Sequence, residues 1–350
     1  MKWNEASFYE TYGSMLRCTL CPHACLLSDG TTGLCQVRRR SGDRMETATF
    51  ATSVWHLDNI ERKPLYHFRP GSRALTLASP GCSFRCGYCQ NYRLSQFGRH
   101  PEAAWSARPV DLENVVAEAE AADGIIAFSY SEPTLAAELT LDLAKHGRDR
   151  KISLVWKTNG FITEEALTTI APCLAAVNVD LKAANEESHR QLTGASLAPV
   201  VAAIKHLKNT GVWVEISTPL IPGFNTDDAS ILAMAKLITS ISPEIPWHLV
   251  RFMPDHLMRT LPPTSPALLA HAARLAARAD IQHVYVERAL HEQGRNTLCP
   301  SCHSTFVRRG IWSLESSPNL DGRCPNCGFS IPGRWHRPSP SPLPCLPTAL

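Results

Sequence analysis

The sequence predicts an α/β fold: a parallel sheet of repeated strand–helix units, preceded by an N-terminal cysteine-rich module and followed by a C-terminal zinc-ribbon-like module. Three observations predict it. From residue 73 to about 287, short β-branched runs alternate with longer amphipathic ones, which is the sign of βα units around a parallel sheet. The cysteines fall into three groups, one before this region, one at its start and one after it. At 350 residues the chain is long enough for one large domain with appendages.

The first group holds Cys18, Cys21, Cys25 and Cys35, with Gly30 and Gly33 letting the chain fold back between the third and fourth thiols. Four thiols so spaced suit a tetrahedral zinc or an iron–sulfur cluster, and His23 could replace one of them. One reading is a structural metal in a loop-rich module with few apolar residues; the other is an electron relay or auxiliary cluster. Residues 58–71, DNIERKPLYHFRPG, have no clean period and read as a segment draped over the sheet, anchored by Tyr66, His67 and Phe68. The block Arg38, Arg39 and Arg40 reads as a solvated loop.

Strands are expected at 74–78, 125–130, 152–157, 176–181, 212–217, 247–252 and 283–287. Helices are expected at 111–122, opening on an acidic cap, at 134–146 after Pro133, and at 225–240, starting with a Thr-Asp-Asp turn. Chemistry in such folds gathers at the carboxyl ends of the strands, and the polar motifs of this chain fall there.

The organising stretch is 80–91, PGCSFRCGYCQN, directly after the first apolar run. It sets Cys82, Cys86 and Cys89 in a CxxxCxxC array with the ring of Tyr88 beside the last thiol. Three thiolates on a tight loop suit an iron–sulfur cube that keeps one iron open. The competing account is a closed zinc site completed by His56, His67 or a distant cysteine. Near the end, Cys299 and Cys302 form one CPxC knuckle and Cys324 and Cys327 a second, with twenty-one residues between them. That pair is a zinc-ribbon signal, each knuckle turning two sulfurs toward one ion. Arg308, Arg309, Arg323 and Arg334 would give the ribbon a basic face.

Composition excludes several classes. With 35 basic and 32 acidic residues there is no electrostatic case for nucleic acid or an anionic membrane, so the ribbon reads as a cap or docking surface. No apolar run approaches a membrane span, and the N-terminus lacks an apolar signal-peptide core. The thirteen cysteines are therefore read as reduced, metal-binding thiols in the cytoplasm. The Pro-rich residues 337–350 read as a disordered tail, with Cys345 unaffiliated, and Cys173 reads as core.

The array CSFRCGYC resembles the CxxxCx(aromatic)C signature of the radical SAM superfamily. Together with CTLCPHAC and GLC, ERKPLYHFRPG, SYSEPT, LIPGFN, PWHLVRF and the terminal CPxC pair, it is similar in order and spacing to the AmmeMemoRadiSam system radical SAM enzymes, a branch near the pyruvate formate-lyase activating enzymes. This resemblance implies a partial (β/α)6-type barrel over 73–290, with the N-terminal metal module and linker at 1–72 and the ribbon at 291–336. The glycine-containing turn expected after the last strand is replaced by VERALHEQGRN, 286–296.

The resemblance also implies cofactors and roles. Cys82, Cys86 and Cys89 would carry a 4Fe-4S cluster that binds S-adenosylmethionine, cleaves it reductively and releases a 5′-deoxyadenosyl radical to take a hydrogen atom from the substrate. SYSEPT looks like a divergent GGE motif, giving Ser131 and Glu132 to the methionine ammonium, for which Glu132 is the carboxylate of the loop; an ordinary helix-start acid is the alternative. TNG and DLK place Asn159, Asp180 and Lys182 by the amino-acid and ribose portions, and Lys157 stands where related activating enzymes carry an acid that helps bind a cation. Its ammonium is expected to replace that cation. Ile221 is read against adenine or against the barrel's own helices, and His248 as a cofactor contact or a satisfied core histidine. The implied partners are an electron donor such as flavodoxin or ferredoxin and a protein substrate, as for glycyl-radical activases. Modification of a small molecule or a protein side chain would use the same residues, and a non-catalytic zinc or iron–sulfur binding module is the reading from another class.

Overall fold

Each of the seven β-branched runs forms a strand, and all seven lie parallel in one sheet. In the computed structural model, which describes residues 1–287, 292–311, 313–316 and 321–336, an eighth strand, β1 (Trp55–Asn59), pairs antiparallel with the first of them, β2 (Arg73–Leu77). The others follow in chain order: β3 (Ile125–Phe128), β4 (Ser153–Thr158), β5 (Leu174–Asp180), β6 (Trp213–Leu220), β7 (Trp247–Arg251) and β8 (Val284–Val286). Each strand neighbours the next, and β1 and β8 are the two edges, so the sheet stays open as a partial barrel. The edge strand β1 was not legible in the sequence.

Parallel pairing requires long crossovers, and helices supply them. They are α1 (Tyr92–Ser95), α2 (Leu112–Ala121), α3 (Ala137–His146), α4 (Glu164–Ile170), α5 (Glu186–Thr193), α6 (Ala198–Asn209), α7 (Asp228–Ile241) and α8 (Pro266–Ala277). Cap chemistry sets where they begin. The Asp111 carboxylate accepts from the Asn114 amide at 3.2 Å, and Asp227 accepts from Ser230 at 2.8 Å. Helix α7 therefore starts three residues later than expected. The expected start at 134 is a 3-10 turn, Pro133–Ala136, leading into α3.

Side chains alternate between the two faces of the sheet. Ile126 and Phe128, Leu154 and Trp156, and Val177 and Val179 face the helices. Ile125, Ala127, Val155, Ala176 and Trp213 face inward, where they pack against Ile60, Leu65 and Phe68 of the draped segment. That segment does not lie over the sheet; it runs inside it. The Tyr66 and His67 amides donate to the Glu215 carboxylate at 3.0 and 2.7 Å, and Trp213 Nε1 and His248 Nε2 donate to the same group at 3.0 and 2.6 Å. Asn178 Nδ2 donates to the Pro64 carbonyl at 2.6 Å. Tyr66, His67 and Phe68 are buried, as anchors should be.

The ribbon closes the same end. Its strands Thr297–Leu298, Thr305–Arg309 and Leu314–Ser316 form an antiparallel sheet. Arg309 is buried, stacks 4.3 Å from the Tyr66 ring and donates to the Tyr66 carbonyl at 2.7 Å. His67 Nδ1 donates to the Pro332 carbonyl at 2.6 Å, and the His67 and Arg334 backbones pair. Arg309 is thus a docking residue and not part of a basic face. Burial lowers the His67 pKa well below the usual imidazole range, and it lowers His283 to about 4, with the Arg309 charge adding to the effect.

The N-terminal module consists of two small antiparallel sheets whose apolar residues, among them Leu16, Leu20, Val37 and Met45, join the same core as the barrel helices. Arg38, Arg39 and Arg40 form a strand with Ser41 and not a solvated loop. Arg38 is buried because Glu138 of α3 takes its guanidinium at 2.8 Å. Cys173 is buried. The expected tail with Cys345, and part of the 286–296 turn, lie outside the described residues.

Removing the Glu215 carboxylate leaves buried donors without an acceptor. Glu215→Ala is expected to destabilise the protein by about 3–5 kcal/mol, read as a lower urea midpoint.

Candidate active site

A cavity of about 310 Å³ opens at the carboxyl ends of the parallel strands, above the inner segment. Cys82, Cys86, Tyr88, Cys89, Ser131, Glu132, Lys157, Asn159, Asp180 and Lys182 all line it, ten residues placed there by sequence reasoning. Ile221 and His248 are not among its lining residues. Ile221 is fully buried behind the wall with Tyr88, Leu192 and Phe252. His248 does point inward, but its ring is held by Glu215 below the cavity and stacks against Tyr285 at 5.1 Å. A satisfied core histidine is the correct description, because its ring nitrogen is spent on a buried carboxylate.

The cysteine loop is pinned on every side. Gly81 has φ +101°, a conformation that side chains rarely adopt, and a Cβ there would meet Val37 and the Cys35 carbonyl at 3.0 and 3.1 Å. The Arg85 amide donates to the Thr193 carbonyl at 2.8 Å, and Leu257 donates to Gly87 at 2.8 Å. Donors then point at the sulfurs. Cys82 Sγ receives the Phe84 amide at 3.3 Å and Asn159 Nδ2 at 3.6 Å, and Cys89 Sγ lies 3.1 Å from the Ser95 hydroxyl. Burial pushes the Cys82 thiol pKa well up, that of Cys86 up to about 12 and that of Cys89 upward. Three half-buried thiols gathered on one cavity wall, two of them beside hydrogen-bond donors, are a donor set that suits a metal centre.

Glu132 ties two strand ends together. Its carboxylate accepts from the Thr134 amide at 3.0 Å, the Thr158 hydroxyl at 2.6 Å and the Asn159 amide at 2.8 Å. Burial raises its pKa, and these three donors oppose the rise. Glu132 is thereby held at the cavity wall as a carboxylate already rich in donors. The preceding Tyr130 has φ +70°, and its ring lies 4.9 Å from the Lys63 ammonium.

On the floor, Asp180 sits between two lysines. Lys157 Nζ donates to Asp180 and, at 2.7 Å, to Asn178 Oδ1; Lys182 Nζ lies 2.8 Å from Asp180 and 5.7 Å from the Tyr88 ring centre. Burial would raise the Asp180 pKa, but the two ammonium groups outweigh it and lower it. Burial lowers the Lys157 pKa against the pull of Asp180. For Lys182, burial is outweighed by Asp180 and Cys86, and its pKa is raised. Sequence reasoning missed Arg62, Tyr130, Arg251 and Glu287, which also line the cavity. Arg251 was within reach of it, since it lies three residues from His248 on the same strand.

Cys299, Cys302, Cys324 and Cys327 bring their sulfurs within 4.8 Å of one another, with the pairs Cys299–Cys327 and Cys302–Cys324 at 3.6 Å. Among the described residues they are the only set of three or more metal-ligating side chains compact enough for a single ion. Cys18, Cys21, Cys25 and Cys35 line a second, smaller cavity that also touches Ser83.

A parallel open barrel with three cysteines and a charged floor at its carboxyl end defines a class, and comparison with known proteins agrees with it. Residues 76–235 match the model of the Radical SAM superfamily, and the chain belongs to that superfamily. It is 31% identical over 333 residues to the uncharacterized protein MJ0808 of Methanocaldococcus jannaschii, covering 93% of this chain and 98% of that protein. It is 27% identical over 173 residues to the isethionate sulfite-lyase activating enzyme of Nitratidesulfovibrio vulgaris, covering 48% and 56%. With the pyruvate formate-lyase 1-activating enzyme of Escherichia coli (strain K12) it shares 29% over 170 residues, covering 46% and 66%. The chain thus matches little more than half to just under two thirds of the length of these activating enzymes, to which it is related. No helix among the described residues is long and apolar enough to cross a membrane.

Asp180→Asn would leave two ammonium groups facing each other without their acid. It is expected to cost about 3 kcal/mol at neutral pH. The Lys157 pKa would then be depressed further, so the unfolded chain binds more protons than the folded one and stability rises with pH. Urea titrations should show the deficit shrinking as pH climbs toward the ordinary lysine range.

Proposed function

We propose that this protein is a radical SAM enzyme of the AmmeMemoRadiSam type, that Cys82, Cys86 and Cys89 hold a 4Fe-4S cluster, and that the cavity beside them holds S-adenosylmethionine. The observation that carries the reading is the convergence on one cavity of three half-buried thiols, Cys82 among them facing the Phe84 amide and Asn159 Nδ2, with the ends of β3, β4 and β5. Bound there, the reduced cluster and cofactor supply a 5′-deoxyadenosyl radical that removes hydrogen from a substrate.

The chain's own residues then have assignable tasks. The Glu132 carboxylate, with Ser131 beside it on the cavity wall, suits the methionine ammonium. Asn159, already donating to Cys82 Sγ, links the cysteine loop to the end of β4. Lys157 stands in the place of a bound cation, its charge held against Asp180, and Lys182 and Asp180 face the ribose side. Tyr88 and Phe252 form an apolar wall, 6.4 Å between ring centres, that keeps water from the reacting region. The substrate is a protein, as for glycyl-radical activases, with a one-electron donor of the flavodoxin or ferredoxin kind as partner; a small molecule or a protein side chain is the second reading. The C-terminal four-cysteine site holds zinc, since its 3.6 Å sulfur pairs match the edge of a tetrahedron with Zn–S bonds of about 2.3 Å.

Anaerobic reconstitution with iron and sulfide, followed by dithionite and S-adenosylmethionine, is expected to yield 5′-deoxyadenosine, and Cys86→Ala to reduce it to background. A protein that takes up only zinc and makes no product refutes the reading. At the ribbon, one zinc per chain is expected by elemental analysis, lost in Cys302→Ser and released by a strong chelator. Because the ribbon is docked on the inner segment, its loss should also lower thermal stability.

A further inference from the structure

The cavity lined by Cys18, Cys21, Cys25 and Cys35 is used by nothing described so far, and it has the properties of a built site. The four sulfurs come from the end of a strand, a turn and a fold-back loop, yet they face one small chamber whose remaining walls include Leu20, Leu27, Leu34 and Leu135. Cys18, Cys21 and Cys35 are buried and Cys25 is half-buried. Backbone amides serve the sulfurs: His23 donates to Cys21, Leu34 to Cys25 at 3.5 Å and Val37 to Cys35. Gly33 passes so close that a Cβ there would lie 3.5 Å from Cys25 Sγ. The buried Arg38 guanidinium supplies a neighbouring positive charge. Nothing in this set looks like a disulfide, since all four cysteines are free.

Two kinds of occupant take four thiolates: a single zinc ion, or an iron–sulfur cluster. The chain contains its own standard for zinc. The C-terminal quartet is drawn in to 3.6 Å pairs, whereas the N-terminal quartet is not compact enough for one ion. The Cys82, Cys86 and Cys89 trio is likewise too open for one ion. A cluster, whose cysteines sit on separate irons around a core of several atoms, requires that wider arrangement. The N-terminal chamber also borders the inner loop. Ser83, next to Cys82, is part of its wall, and the Ser83 carbonyl accepts from His23 Nε2 at 2.8 Å. On the other side, Leu34 is exposed to solvent.

We propose that Cys18, Cys21, Cys25 and Cys35 hold a second iron–sulfur cluster, closed by four cysteines, between solvent and the Cys82 loop. It takes one electron from a low-potential donor such as dithionite and gives one back on oxidation, with no bond made or broken at the protein. The proposal stands apart from the S-adenosylmethionine reading, because it rests on a different set of ligands.

The test uses the full chain, reconstituted anaerobically with ferrous iron and sulfide. In C82A/C86A/C89A, iron and acid-labile sulfide should persist at one cluster per chain, with a visible absorption that dithionite bleaches by one electron equivalent. In C18S/C21S, with the inner trio intact, iron should fall to the content of a single cluster. An iron-free triple variant carrying two zinc ions per chain overturns the proposal. Should C18S/C21S fail to fold, the triple variant and the Mössbauer count of cluster types in the wild-type chain decide alone. If the wild type carries both clusters but makes no 5′-deoxyadenosine, the functional reading fails while this one stands.

Discussion

The buried Glu215 carboxylate is the contact on which the arrangement depends. An open barrel with seven parallel strands has an interior to fill, and side chains alone do not fill it here. The chain threads residues 64–68 through the lower half, and those backbone amides must find acceptors away from water. Glu215 takes two of them and also the Trp213 and His248 ring N–H groups. With the lower half filled by protein, the upper half is left as a cavity. The position of the floor, and so of Lys157, Asp180 and Asn178 above it, follows from that single acceptor and from the Asn178 bond to Pro64.

The two cysteine-rich appendages act on this arrangement from opposite ends. The N-terminal module presses Val37 and the Cys35 carbonyl against Gly81, fixing the start of the Cys82 loop from outside the barrel. The ribbon reaches in from below, with Arg309 on Tyr66 and the Arg334 backbone on His67. Neither is a bead on a string. Each of the two outer cysteine groups belongs to a segment that touches an element shaping the cavity.

Much of this was legible in the sequence, for physical reasons. Parallel strands buried on both faces read as β-branched runs, so all seven were found, and strand ends announce themselves with polar motifs such as SYSEPT, TNG and DLK. The CxxxCxxC loop and the paired CPxC knuckles are spacing signals that need no tertiary context. What failed was tertiary. Residues 60–71 lack a period because they run inside the sheet and form no strand of it, and β1, which takes in residues 58 and 59, was missed because it is a five-residue edge strand. Arg38 was read as solvated because its partner, Glu138, is a hundred residues away. His248 was assigned the right direction and the wrong depth, since strand periodicity gives the facing of a side chain but not its height in the barrel.

The separation along the chain between the inner segment and its acceptor has a kinetic consequence. Tyr66 and Glu215 are 149 positions apart, so the amides of residues 66 and 67 have no partner until β6 has been synthesised and aligned. Loop closure over that span must precede the reward, which places this molecule among slow-folding, high-contact-order topologies. During synthesis the inner segment therefore waits for the C-terminal half of the sheet before its amides are satisfied.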